Sequence, residues 1–166
     1  MSSRIELPVF HLIIMKIAAV GVLLGPTVFL LVALSFMGQT GNEEVTDQDH
    51  QMVFRLTSFA MASMVVFNLV ALYAPKLAVK IARRKSGTDA DLGQAVFTGL
   101  LIRYGSSSGA SILGLASIAM GAICGYMPWY IWVNLLPLAI VYAVVITTFP
   151  TRKRVESQIS QLTTQN

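Results

Sequence analysis

Two cations stand at the edge of long apolar runs, Lys16 and Arg103, and Arg103 is followed by Tyr104 and the serines Ser106, Ser107 and Ser108. A charge beside hydroxyls in a membrane segment is the chemistry of a vestibule for an anion or a neutral solute. The cation concentrates the solute, and the hydroxyls replace part of its water shell. Geometry offers a plainer reading. As helix, Ile17 to Met37 spans about 31 Å and Tyr104 to Tyr126 about 34 Å. Each stretch already fills a hydrocarbon core of about 30 Å. Both cations can then sit at the membrane boundary with their heads in water.

Other reactive groups are sparse. Cys124 is the one cysteine, so no intrachain disulfide or paired-thiol chemistry is available. His11 and His50 are expected near opposite membrane faces, where they cannot ligate one metal or haem together. No Asp or Glu falls inside an apolar run. Proton- or sodium-coupled machines cycle a buried carboxylate, so that class is disfavoured. The span-three serines have no base nearby in sequence, and no Gly-Lys-Ser/Thr ending follows the glycines there. No catalytic residue, metal site or cofactor is therefore expected, and the chain reads as a non-enzyme.

The elements that must position these residues are membrane spans. The chain is 55% hydrophobic and 12% charged, against about 25% charged for a soluble domain. Four apolar runs are long enough to cross a bilayer as helices: Leu12–Met37, Val53–Ala74 ended by Pro75, Val96–Tyr126, and Trp129–Phe149 ended by Pro150. They are continuous, unlike the alternating segments of about ten residues in barrel strands. The first run is also too long for a usual signal-peptide core and is expected to be retained. The fold class is all-α, an integral membrane four-helix bundle. It divides into two transmembrane hairpins, residues 1–85 with a basic cytoplasmic extension and residues 86–166 with a short polar tail.

Eleven of the twelve Lys and Arg residues fall on one side of these spans, and Arg55 is the exception. The loop Gly38–His50 carries Glu43, Glu44, Asp47 and Asp49 without a base. The positive-inside rule places both termini in the cytoplasm. Tyr126, Trp129, Tyr130 and Trp132 would mark the outer interface. A bacterial inner membrane is the default location, because no eukaryotic sorting signal is present. Each half has a cation near the start of its first span and an aromatic-proline-base ending to its second: Tyr73-Ala74-Pro75-Lys76, and Phe149-Pro150-Thr151-Arg152. This is either a parallel tandem repeat or convergence on hairpin grammar. A duplicated hairpin of this size resembles the doubled rotor-ring subunits of rotary ATPases in architecture, but the mid-span carboxylate of that family is missing.

Span three is rich in small residues. Gly105, Gly109, Gly114, Ser117, Gly121 and Gly125 recur at helical spacing. In lipid, helices associate by close packing rather than by hydrophobic drive, so such residues mark a helix-packing interface. Its serines could bond their own helix or reach Asn68 or Asn134. Gly25-Pro26 and Pro137 are expected to kink their helices. Beyond Pro75, Lys76, Lys80, Arg83, Arg84 and Lys85 alternate with Leu77, Val79 and Ile81. This pattern suits span two continuing as an amphipathic cytoplasmic helix on anionic lipid. Ser86-Gly87 should break it, with Thr88 or Asp89 capping the next helix.

The expected function is that of a non-catalytic structural or accessory subunit. It would form a homo-oligomer, or join a larger membrane complex, through the span-three face. A small channel or carrier for an anion or neutral solute is the second reading, and an anionic-lipid-binding protein the third. Basic residues at membrane edges, without interleaved aromatics, give no nucleic-acid partner.

Overall fold

The structure is a computed structural model and describes residues 9–38, 45–85, 89–151, 153 and 157. Four α-helices run in order: α1 Val9–Ser35, α2 Asp47–Lys85, α3 Asp89–Ile123 and α4 Leu136–Thr148. A 3₁₀ turn, Phe36–Gly38, follows α1, and a 3₁₀ helix, Trp129–Leu135, leads into α4. Among the described residues there is no strand. Four stretches are long and apolar enough to cross a bilayer: Phe10–Ser35, Asp47–Ala82, Leu92–Ile123 and Trp129–Thr148. Phe10, Ile17, Val28, Leu31, Phe54, Phe59 and Leu72 are exposed around the bundle. So large an apolar surface suits lipid as solvent. The chain is a multi-pass membrane protein.

Three clusters of buried side chains fix the topology. At one end, Met15 meets Val79, Leu92, Val96 and Leu100. In the next layer, Ala19 meets Tyr104, Val141 and Val145. At the other end, Val53 meets Leu115, Ile118, Ile131 and Leu138, with Leu30 and Met37 against them. The start of α1 therefore lies beside the end of α2 and the start of α3, and successive helices run antiparallel. We call the Met15 end the basic end, since Lys76, Lys80 and Arg84 project there, and the opposite one the acidic end, where α2 opens with Asp47 and Asp49.

α3 is the hub. Half of its most apolar stretch is buried inside the chain, against 17% for α1 and for α2. It packs on α1, α2 and α4, whereas α1 and α2, though consecutive, hardly touch among the described residues. Residues 1–85 thus contribute two helices that each pack chiefly on α3 among the described residues.

The prolines act differently from one another. α2 continues through Pro75 to Lys85, and α1 through Pro26. Pro75 loses one helical N–H, but α3 supports the helix there by unusually close approach. A Cβ built on Gly99 would lie 2.6 Å from Pro75 Cα. Span two and the basic stretch beyond Pro75 form a single helix of 39 residues, about 58 Å long. With α3, about 52 Å long, it extends past a hydrocarbon core of about 30 Å. Pro137 sits in the first turn of α4, where its missing N–H has no helical partner to lose, so it starts the helix. α4 has 13 residues and spans only about 20 Å. The 3₁₀ segment before it adds about 14 Å, which completes the crossing.

The helix ends carry their own signals. Thr46 caps α2: Asp49 N–H donates to Thr46 Oγ1 (3.3 Å), and Thr46 N–H donates to Asp49 Oδ2 (2.9 Å). This reciprocal pair is a capping box with Asp in the Glu position. At the end of α3, Gly125 has φ of 65°. Tyr126 N–H reaches Gly121 O (2.9 Å) and Gly125 N–H reaches Ala122 O (3.3 Å), the bonding of a Schellman motif. Ser86, Gly87 and Thr88 lie outside the described residues.

Candidate functional site

The residues that sequence places on and beside α3 separate into three settings along its length. Nearest the basic end, Lys16 is exposed and Arg103 half-buried. Arg103 Nε is buried without a hydrogen-bond partner. Tyr104 is buried, and its hydroxyl donates to the Thr148 carbonyl at 2.8 Å. Thr148 is the last residue of α4, so that carbonyl has no partner in its own helix. Tyr104 thereby closes the end of α4, a structural task that draws its hydroxyl away from a solute. Ser106 and Ser108 are half-buried, Ser107 is buried, and Ser107 Oγ has no partner. Ser111 Oγ donates back to the Ser108 carbonyl (2.8 Å).

Deeper in the bundle, Asn134 is fully buried at the end of the 3₁₀ helix. Its Nδ2 donates to Thr57 Oγ1 of α2 at 3.2 Å, and its Oδ1 has no partner. Turning the amide over would let Thr57 donate to Oδ1 and would strand Nδ2 instead. One polar atom of Asn134 stays unpartnered in either orientation. The Asn134 carbonyl oxygen lies 2.6 Å from where a Gly114 Cβ would be. The 3₁₀ backbone rests on α3 at that glycine. Asn68 donates to the Met64 carbonyl of its own helix (2.9 Å).

Toward the acidic end, Gly121 lies under Ile131 and Met127 side chains and the Tyr126 carbonyl. Ser117 is buried and donates to Leu113 O (3.3 Å). Gly125 is the turn glycine described above. Gly109 lies in ordinary contact with Phe67 at 3.8 Å, and Gly105 faces open space. The six small residues of span three therefore do not form one free face. Gly114, Ser117 and Gly121 pack inside the chain, Gly125 shapes a turn, and Gly105 alone faces outward with nothing near it.

Another pair of glycines has the opposite character. Gly21 and Gly25 are one helical turn apart on α1, both exposed, with nothing within 4 Å of either added Cβ. Gly21-Val22-Leu23-Leu24-Gly25 is a small-xxx-small sequence in mid-span, a signal visible in the sequence but masked there by the denser glycines of span three. On its inner side α1 is tied to α4. Thr27 Oγ1 donates to Leu23 O (2.5 Å), and Tyr142 hydroxyl donates to Thr27 Oγ1.

The remaining groups stand apart. His11 packs on Phe97 (ring centroids 4.6 Å apart) at the basic end, and His50 stacks on Tyr126 (4.0 Å) at the acidic end. Phe54 and Trp129 meet the Tyr130 ring edge-on, forming an aromatic girdle there. Among the described residues no three His, Cys, Asp or Glu groups converge as metal ligands. Lys76, Lys80 and Arg84 are exposed on the basic extension of α2. The side chains of Arg83 and Lys85 lie outside the described residues. No protein-family model, curated protein or solved structure matches the chain.

Proposed function

We propose that this chain is a non-catalytic accessory or scaffold protein of a membrane, which self-associates or joins a larger assembly through the glycine face of α1. The basic end, with both termini, would face the cytoplasm, and anionic head groups would meet Lys76, Lys80, Arg83, Arg84 and Lys85. One observation carries the reading: Gly114 and Gly121 on α3 are filled by the chain itself, whereas Gly21 and Gly25 on α1 are open. Small residues let helix backbones approach closely enough for dispersion and Cα–H contacts to accumulate. That packing is what holds helices together where lipid supplies no hydrophobic drive. Subunit counting by single-molecule photobleaching in native-lipid discs tests it. The wild type should show more than one copy or a co-purifying partner, and Gly21→Leu with Gly25→Leu should release single copies with unchanged melting. A wild type that is solitary in native lipid sinks the proposal.

A solute conduit is the second reading, supported by the unpartnered buried atoms Arg103 Nε, Ser107 Oγ and Asn134 Oδ1. Liposome flux of a small anion that falls on Arg103→Gln, with folding intact, would favour it. Silence over a broad panel of anions and neutral solutes would remove it.

A further inference from the structure

Beside the close Pro75–Gly99 approach, side chains of α2 and α3 flank a groove of about 600 Å³ toward the basic end. Its walls include Leu69, Tyr73, Leu77 and Ile81 of α2 and Thr98 and Ile102 of α3. It is almost wholly apolar and opens sideways, toward lipid. From Leu69 to Ile81 the α2 wall runs about 18 Å, close to the 15 Å or so that one leaflet contributes to a core of about 30 Å. An open apolar furrow of this length suits a flexible polymethylene chain lying along it.

Charge indicates the rest of the occupant. Lys80 lies three residues after Leu77 and seven after Tyr73, and Arg84 three after Ile81 and seven after Leu77. Both therefore continue the groove-lining row past its end at the basic side, and both are exposed. Lys80 and Arg84 thus stand where the groove row reaches the basic end. The opposite face of α2 at this level is taken by Val79, packed against Met15 and Leu92, so the groove row is the face left for lipid.

We infer that this groove is a binding site for one anionic phospholipid, with an acyl chain lying along the outer seam of α2 and α3 and the phosphate held by Lys80 and Arg84. It would be a resident lipid, distinct from the exchanging shell around the bundle. The site stands independently of the self-association proposed for α1, which lies on another face.

Native mass spectrometry of detergent-purified protein, titrated with phosphatidylglycerol or phosphatidylcholine of matched chains, tests the site. Two bases at about 1 kcal/mol each predict a preference for phosphatidylglycerol of about thirtyfold. Lys80→Gln with Arg84→Gln should bring the ratio near one while a lipid is still retained. Ala78→Trp, which fills the groove, should remove retention of both lipids. Ile81→Trp, at an exposed position, does the same should the first variant fold poorly. Equal retention of both lipids by the wild type overturns the inference, and so does undiminished retention by a tryptophan variant with unchanged melting.

Discussion

Gly114→Ala and Gly105→Ala add the same methyl group to the same helix and are expected to have opposite signs. At Gly105 the added Cβ meets nothing within 4 Å. The substitution then removes backbone freedom from the unfolded helix and stabilises by about 0.5–1 kcal/mol. At Gly114 the Cβ would lie 2.6 Å from the Asn134 carbonyl oxygen and 3.5 Å from Asn134 C and Cβ. The obstacle is backbone, which cannot rotate aside. Relief requires the 3₁₀ segment to move off α3 by most of an ångström. Overpacking of this kind costs about 1–3 kcal/mol. The same displacement stretches the Asn134–Thr57 bond, already 3.2 Å, and interhelical bonds in membranes are worth about 0.6 kcal/mol on average. Against the propensity gain, the net expectation is a loss of about 1–2 kcal/mol for Gly114→Ala. The two alanines should therefore differ by about 1.5–3 kcal/mol. Steric-trapping or SDS-titration unfolding in mixed micelles resolves a gap of that size. Equal stabilities for the two variants would refute the placement of the 3₁₀ helix against α3, and with it the assignment of Gly114 to the interior.

Two further substitutions probe the devices that hold the helix ends and α1. Gly125→Ala forces an L side chain into the left-handed region and should cost about 1–2 kcal/mol, read as a lowered thermal midpoint in micelles; Gly125→Asn should recover part of it. Tyr142→Phe removes the hydroxyl that bonds Thr27 and should cost about 0.5–1.5 kcal/mol, with amide exchange accelerating in α1 before α3. Unchanged exchange in α1 would mean that apolar contacts alone anchor that helix.

What the sequence displayed and what it concealed follow from lipid as solvent. Spans were legible because crossing a core of about 30 Å demands about 20 apolar residues. Segregation of Lys76, Lys80 and Arg84 from Asp47 and Asp49 likewise marked the two ends. Packing partners were not legible, because a membrane helix is apolar on its inner and outer faces alike and loses the polar stripe that identifies a surface in water. Leu31 and Leu115 are chemically identical, yet one is 62% exposed and the other fully buried. The basic residues beyond Pro75 marked the continuation of α2, but nothing in that stretch announced that Gly99 of α3 would lie against Pro75. The 3₁₀ entry to α4 was equally hidden, since Trp129–Leu135 has no local feature that separates it from α-helix. Tyr104 stands out in the sequence only beside Arg103, whereas its bond depends on where α4 ends.

Small residues are the part of the code that survives in lipid, but they mark only that something comes close, not whether it belongs to the same chain. Gly121 and Gly25 illustrate the two cases. Gly121 is covered by Ile131, Met127 and the Tyr126 carbonyl, and Gly25 by nothing. A bulky residue at the first must break the fold, because its neighbours are covalently tethered and always present. At the second it can only disturb an encounter between separate molecules, and so its effect must scale with how densely the membrane is populated. Gly121→Leu should therefore lower stability equally at high and low protein-to-lipid ratio. Gly25→Leu should leave the isolated chain as stable as the wild type and shift the association curve toward higher density. The two substitutions separate folding from assembly within one chain, and a density-dependent Gly121→Leu or a density-independent Gly25→Leu would reverse the assignment of inner and outer faces.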